Sequence, residues 1–170
     1  MAELTFMMGE FEALLPTDRL YCANHMWAQV AEAAGASEST SLVRFGFTAY
    51  AVRLLQDVYF LDWEFDAPVQ LSVGQEFGSI ESKKAESSLY SPVAGQLIRF
   101  NETLMEDPSA INTDKHGDGW LFEMEVNDLV VASDGAGQAG PTELLQPEAY
   151  VSLLEDVWVK TQRTIKGQLN

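Results

Sequence analysis

The 170-residue chain has little cysteine and few basic side chains, and each shortage excludes a class of protein. The single cysteine, Cys22, excludes an internal disulfide framework and any multi-cysteine zinc site. Ten Lys and Arg stand against 26 Asp and Glu, and the net charge of −16 argues against nucleic-acid binding, which needs clustered cations. This acidity fits either attraction to basic partner surfaces or adaptation to salt.

Long apolar runs are also missing. No stretch approaches the ~18 consecutive apolar residues that cross a bilayer, and the first residues lack the basic, apolar and small-residue regions of a signal peptide. We therefore expect a cytoplasmic protein. Because 46% of the residues are hydrophobic and 11% are aromatic, we expect a packed core, and the length is typical of one domain.

Two segments have the pattern of amphipathic helices. The apolar residues after Pro147 recur at the spacing of one helical face and are Tyr150, Leu153, Leu154, Val157 and Trp158. They predict a C-terminal helix near 147–165, with Pro147 at its first position. A shorter helix is predicted near 48–56, with Thr48 as its N-cap.

Short strands separated by Gly, Pro and Ser account for much of the remaining chain. The clearest is 120–126, in which even-numbered positions are apolar and odd-numbered positions are largely charged. The segments 57–62, 77–82 and 95–100 have the aliphatic and aromatic content of strands. Residues 133–141 are predicted to form a flexible connection. Many short strands with tight turns indicate a small β barrel or sandwich.

The segment 74–95 is the most informative part of the sequence. It predicts two short strands flanking a polar tip that presents Lys83 and Lys84, and such charges commonly serve only to deter strand pairing. However, residues 81–85 read Glu-Ser-Lys-Lys-Ala. This resembles the lipoylation motif of glycine cleavage H proteins, in which Glu-Ser-x-Lys-Ala contains the modified lysine. Aligned on this motif, Lys84 takes the position of the modified lysine, and Lys83 stands where the family usually has an apolar residue.

The resemblance extends in order over about residues 20–160. Its other blocks are His25-Met26-Trp27, 46–51, 57–60, 89–95, 100–104, 107–108, 111–114 and 117–122. It implies a mainly β fold of the barrel-sandwich hybrid type, with two small sheets packed face to face and the two helices at the periphery. It also implies an N-terminal extension over 1–19 and a single lipoyl-carrier domain over 20–170 that includes the C-terminal helix.

By this resemblance the protein is a carrier rather than an enzyme, with lipoate amide-linked to Lys84 and with neither catalytic residues nor metal ligands. An exposed lysine on a flexible stem suits that role, because tethering gives a high effective concentration at each partner. The residues expected to be recognised by a lipoate–protein ligase or lipoyl transferase, or by partners, are Glu81, Ser82, Ala85 and Glu86. We also expect Asp62, Trp63 and Glu64, on a neighbouring connection, to contribute to partner choice if the hairpin lies close to them.

Two pathways use carriers of this type. In glycine cleavage, an H protein carries an aminomethyl group among glycine decarboxylase, aminomethyl transferase and dihydrolipoamide dehydrogenase. In sulfur oxidation, H-protein-like lipoate-binding proteins work with a heterodisulfide-reductase-like complex. We predict the sulfur-oxidation role, because residues 60–63, Met26 and Lys83 depart from the usual glycine-cleavage pattern and residues 15–21 resemble the sulfur-oxidation branch. A true H protein of glycine cleavage is the alternative.

Three other carriers or domains compete with these interpretations. A biotin carrier presents its lysine between methionines, whereas Lys84 lies between Lys83 and Ala85. The lipoyl domain of a 2-oxoacid dehydrogenase complex would not explain the block at 117–120 or the C-terminal helix. An unmodified structural or binding β domain is the remote alternative.

Overall fold

The computed structural model describes residues 2–31, 40–132 and 142–169, with side chains described through residue 160. The predicted connection at 133–141 lies outside these residues. The strands are β1 (Glu3–Met8), β2 (Phe11–Pro16), β3 (Leu20–Tyr21), β4 (Met26–Val30), β5 (Thr40–Phe47), β6 (Val58–Trp63), β7 (Val69–Leu71), β8 (Glu76–Ser82), β9 (Glu86–Tyr90), β10 (Gly95–Phe100), β11 (Phe122–Asn127), β12 (Val130–Ala132) and β13 (Glu143–Leu145). The helices are α1 (Ala49–Leu55), α2 (Thr103–Glu106), α3 (Ala110–Thr113) and α4 (Pro147–Leu169).

The strands form two main sheets and a separate hairpin. One sheet has the order β12-β13-β3-β4-β5-β11-β10-β7, the other has the order β6-β8-β9, and β1 pairs with β2. The inward faces of the two main sheets meet in one apolar core. Phe77 of β8 and Phe122 of β11 join them directly, with ring centroids 5.0 Å apart in an edge-to-face arrangement. The predicted mainly β architecture with peripheral helices is therefore confirmed, and the strands predicted at 57–62, 77–82 and 95–100 correspond to β6, β8 and β10.

Both predicted helices are present. Thr48 is the N-cap of α1, and its side chain accepts a hydrogen bond from the Ala51 amide, which satisfies one of the unpaired donors at the helix start. α4 begins at Pro147 as predicted and ends four residues beyond the predicted 165. Its predicted apolar face packs inward, and Tyr150 and Leu154 are fully buried. Within the described residues, no helix combines the length and the apolar character needed to cross a bilayer.

A second apolar core joins the two ends of the chain. The β1–β2 hairpin packs against α1 and α4. Phe6 of the hairpin lies edge-on to Tyr50 of α1 and to Trp158 of α4, at centroid distances of 6.1 and 6.4 Å. Tyr21 stacks on Tyr150 at 4.8 Å and thereby fastens the start of α4 to β3.

One strand prediction needs correction. β11 begins at Phe122 rather than at 120, and Leu121 and Glu123, which were expected on a polar face, are buried. The reason is cross-strand pairing, since Glu123 lies opposite Arg44 of β5 and Arg99 of β10. Its carboxylate forms ion pairs with both guanidinium groups. The long arginine side chains cover this carboxylate and compensate its removal from water.

Candidate functional site

The two lysines lie in a three-residue turn between β8 and β9. Glu81 and Glu86 form the last residue pair of the strand ladder before the turn. The Ser82 amide then donates to the Ala85 carbonyl at 2.8 Å. The Ser82 hydroxyl oxygen accepts from the amides of Lys84 and Ala85 at 3.3 and 3.1 Å and lies 3.1 Å from the Ala85 carbonyl oxygen, to which it donates. One buried serine therefore organises the backbone that presents the lysines.

The base of the turn is fastened to the start of β6. The Lys83 amide donates to the Asp57 carbonyl at 2.8 Å. Asn112 of α3 holds the same region, because its side-chain oxygen accepts from the Val58 amide and its side-chain nitrogen donates to the Gln56 carbonyl. The blocks at 57–60 and 111–114 were singled out in the sequence, but this fastening role depends on contacts that a sequence does not display.

Exposure differs among the predicted site residues. Lys83, Lys84, Ala85 and Glu86 are exposed, Glu81 is half-buried and Ser82 is buried. Lys84 and the four residues predicted for ligase or partner recognition therefore lie together at one hairpin end. Because both lysine side chains are exposed, the choice of Lys84 over Lys83 rests on the sequence motif.

A groove of about 280 Å³ begins beside the turn at Ala85. β9 forms one wall, with Leu89 and Tyr90, and α1 forms the other, with Leu54 and Leu55. Its lining is largely apolar, with a few polar groups contributed by Asn24, His25 and the serines of β9. Such a groove can take an aliphatic chain attached at the neighbouring turn.

His25 lines this groove, and a hydrogen bond and a ring contact fix the orientation of its imidazole. Its Nδ1 is 3.0 Å from the Tyr150 hydroxyl oxygen, which is also 3.0 Å from the Thr48 hydroxyl oxygen. The ring also lies 4.7 Å from that of Tyr50. Burial lowers the pKa of His25 to about 4, so the imidazole is neutral near pH 7. The groove therefore contains an uncharged, oriented hydrogen-bonding group.

Residues 62–64 do not lie beside the lysines, so the structure does not meet the condition on which they were expected to contribute to partner choice. In the antiparallel pairing of β6 with β8, Trp63 lies opposite Gly78, four residues before Ser82. At about 3.3 Å per residue, this places the end of β6 roughly 13 Å from the start of the turn. Antiparallel pairing brings the beginning of β6, and not its end, to the lysines.

The acidic residues near that far end interact with one another. The Glu64 carboxyl forms a hydrogen bond with Glu76, which raises the pKa of Glu64, while a hydrogen bond from Ser88 and the one from Glu64 lower the pKa of Glu76. An open cavity of about 620 Å³ lies nearby, lined by residues that include Trp63 and Phe100. This cavity therefore lies toward the opposite end of the hairpin from the lysines.

Comparison with known proteins identifies one family. The model of the family described as "Glycine cleavage H-protein" matches residues 19–157. A glycine cleavage system H protein of Carboxydothermus hydrogenoformans is 33% identical over 144 residues, covering 85% of this chain and 97% of that protein. The corresponding protein of Teredinibacter turnerae is 37% identical over 136 residues, covering 80% and 92%.

A solved structure shows the same relationship. The crystal structure of a glycine cleavage system H protein from Mycobacterium marinum matches with a TM-score of 0.61 and 32% identity. The match covers 80% of this chain and 95% of that one. These relatives are named for glycine cleavage, and nothing in the comparisons supports the predicted sulfur-oxidation role or a heterodisulfide-reductase-like partner.

Proposed function

The chain belongs to the glycine cleavage H-protein family, and we propose that it carries a lipoyl group on Lys84 as the H protein of glycine cleavage. Members of this family carry lipoate attached covalently to a lysine. The observation that carries the proposal is the position of residues 81–85, whose motif forms the exposed end of the β8–β9 hairpin. The alternative named from the sequence thereby replaces the sulfur-oxidation role as our proposal.

The residues at the hairpin end fit a covalently attached arm. Lys84 is exposed, so its amine is accessible for acylation, and the hydrogen bonds of Ser82 hold the backbone on either side. A rigid base with a free side chain gives a defined origin to a mobile arm. When bound, the lipoyl group supplies a dithiolane that opens to a dithiol by thiol–disulfide exchange.

The residues that line the groove position the attached arm and shelter it. The walls formed by α1 and β9 give the groove a largely apolar lining, and His25 presents a neutral ring there. No proton transfer is assigned to this chain, because carriage requires presentation rather than catalysis. We accordingly propose a non-catalytic carrier whose partners are a lipoyl-attaching enzyme, glycine decarboxylase, aminomethyl transferase and dihydrolipoamide dehydrogenase.

The attachment site is tested by mass spectrometry. Protein produced with lipoate and a cognate lipoate–protein ligase should gain one lipoyl group, and peptide mapping should locate it on Lys84. Lys84→Arg should abolish the adduct, whereas the matched variant Lys83→Arg should retain it. Both should keep the stability of the parent, because an exposed turn buries little apolar area. An adduct on Lys83 would show that the motif alignment is displaced by one residue.

The pathway is tested separately with lipoylated protein. With the lipoyl group in its disulfide form, and mixed with glycine decarboxylase and pyridoxal phosphate, it should acquire an aminomethyl group from glycine on one sulfur, with release of CO2. The rate should be similar to that of an authentic H protein at equal salt. Lys84→Arg is the control and should acquire none. Failure of the lipoylated protein to load, while the authentic H protein loads, would contradict the glycine-cleavage role and leave the carrier role of Lys84 intact.

A further inference from the structure

A β-bulge in β6 turns two consecutive aromatic side chains toward solvent. Val58 pairs with Ser82 and Phe60 pairs with Glu81, so Tyr59 is an extra residue on the β6 side of the ladder. Regular alternation would bury every second side chain. Here Tyr59 and Phe60 are 61% and 48% exposed, while Val58 and Leu61 on either side are buried.

The bulge lies next to the end of the carrier hairpin. Phe60, Glu81 and Glu86 are directly paired across β6, β8 and β9, so they share one face of the sheet in a single row. This is the last row before the turn that contains Lys84. The Lys83 amide also bonds to Asp57, two residues before Tyr59. We refer to Tyr59, Phe60, Glu81 and Glu86 as the bulge surface.

The composition of the bulge surface defines the partner that would fit it. Two neighbouring exposed aromatics are the type of side chain that anchors protein interfaces. Glu81 and Glu86 place two carboxylates in the same row as Phe60, and exposed Asp57 precedes Tyr59 by two residues. The complementary partner is a protein surface with an apolar recess bordered by Lys and Arg.

The distance that the lysine side chain can span distinguishes among the partners of a lipoyl carrier. A lysine side chain extends only about 6 Å from its Cα, from bonds of about 1.5 Å each. The enzyme that acylates Lys84 must therefore contact the residues immediately around the turn. Enzymes that act on the completed arm can stand farther away, because the arm adds on the order of 10 Å. Contact with the row nearest the turn is therefore required only of the enzyme that attaches the lipoyl group.

We propose that the bulge surface is the docking site of the enzyme that attaches the lipoyl group, with Tyr59 and Phe60 as its apolar anchors. This rests on the proposed function, since it requires Lys84 to be acylated. The β6 bulge thus exposes these two aromatic side chains to the enzyme whose active site receives the lysine.

The test measures the rate of lipoyl attachment to unmodified protein by its cognate ligase, with lipoate and ATP. Tyr59→Ser/Phe60→Ser should lower kcat/KM at least tenfold, mainly through KM. Met7→Ser/Leu14→Ser is the matched control, because these residues are 47% and 41% exposed on the β1–β2 hairpin, and its kcat/KM should stay within twofold. Tyr59→Leu/Phe60→Leu keeps apolar anchors and should retain at least a third of the parent value.

Two further measurements separate loss of docking from loss of folding. If the double serine variant does not fold, Phe60→Lys should still lower kcat/KM about tenfold by opposing the basic partner surface. Once lipoylated by prolonged incubation, the double serine variant should be reduced by NADH and dihydrolipoamide dehydrogenase at a rate within twofold of the parent rate. Attachment within twofold of the parent, or an equal loss in both assays, would overturn the proposal. Adduct formation on Lys84→Arg would instead contradict the proposed attachment site.

Discussion

At the scale of single residues, His25 couples the groove to the C-terminal helix. It occupies the turn between β3 and β4 with φ +70°, a conformation in which Asn, Asp and His are enriched among non-glycine residues. The Thr48 amide donates to its carbonyl, and Tyr150 binds its ring. Contacts from two helices therefore hold a histidine whose conformation would otherwise be uncommon. These contacts orient the ring, and its burial keeps it neutral.

We predict that stability falls as pH decreases from about 6.5 to about 4, partly because of His25 and His116. Burial lowers the pKa of each to about 4 in the folded protein, against an ordinary value of 6.5. In this window the unfolded chain therefore binds protons that the folded protein does not, and each histidine contributes a slope of up to about 1.4 kcal/mol per pH unit. Urea unfolding at pH 7, 6, 5 and 4.5 measures this slope.

His25→Asn tests the assignment, since Asn tolerates the same backbone conformation. Its unfolding free energy should depend less steeply on pH than that of the parent, while His116→Asn should remove a comparable share. Profiles for the parent and both variants that run parallel would contradict the burial of these rings.

At the scale of elements, the β8–β9 hairpin depends on one side chain in its turn. The Ser82 hydroxyl serves two amides and one carbonyl within the turn. Ser82 was predicted from the sequence as a recognition residue, and that role stays a prediction. Its burial provides a reason for serine at this position that does not require a partner.

Ser82→Ala should lower the free energy of unfolding by about 1–2 kcal/mol, because the amides of Lys84 and Ala85 lose their acceptor. Hydrogen exchange at the Lys84 and Ala85 amides should accelerate, and lipoyl attachment should slow with it. Ser79→Ala, on the same strand, is the matched control and should change each quantity little. Slower lipoyl attachment with unchanged hydrogen exchange would show that the ligase contacts Ser82 directly.

At the scale of the whole molecule, the chain has two cores with different tasks. The core between the two main sheets supports the hairpin, whereas the second core joins the N-terminal hairpin to α1 and α4. The family match begins at residue 19, so β1 and β2 precede the matched region. The division at 19 and 20 stays a prediction, and the packing shows that the preceding hairpin buries Phe6, Met8 and Leu15.

Phe6→Ala should lower the free energy of unfolding by about 3–5 kcal/mol, the usual cost of deleting a buried phenyl ring. Phe6 is 7% exposed and contacts Tyr50 and Trp158, so hydrogen exchange in α4 should also accelerate. Leu14→Ala, 41% exposed on the same hairpin, is the control and should cost less than 1 kcal/mol. Equal costs for the two variants would contradict the second core.

The sequence by itself determined the features that depend on near neighbours. Thr48 as a helix cap, Pro147 as a helix start and the apolar face through Tyr150 and Leu154 follow from periodicity and capping, which involve residues within about four positions of one another. The motif at 81–85 likewise identified the family and singled out Lys84, which exposure alone would not separate from Lys83.

Only the tertiary structure decided the features that depend on strand register. The pairing of Glu123 with Arg44 and Arg99 buries a residue that its own strand pattern assigns to solvent. The bulge that exposes Tyr59 and Phe60, and the pairing that places Trp63 far from the turn, are likewise set by β8. A register shift of one residue moves a side chain to the other face of a sheet. Because register is chosen by contacts among strands distant in sequence, these surfaces emerge only when the whole chain has folded.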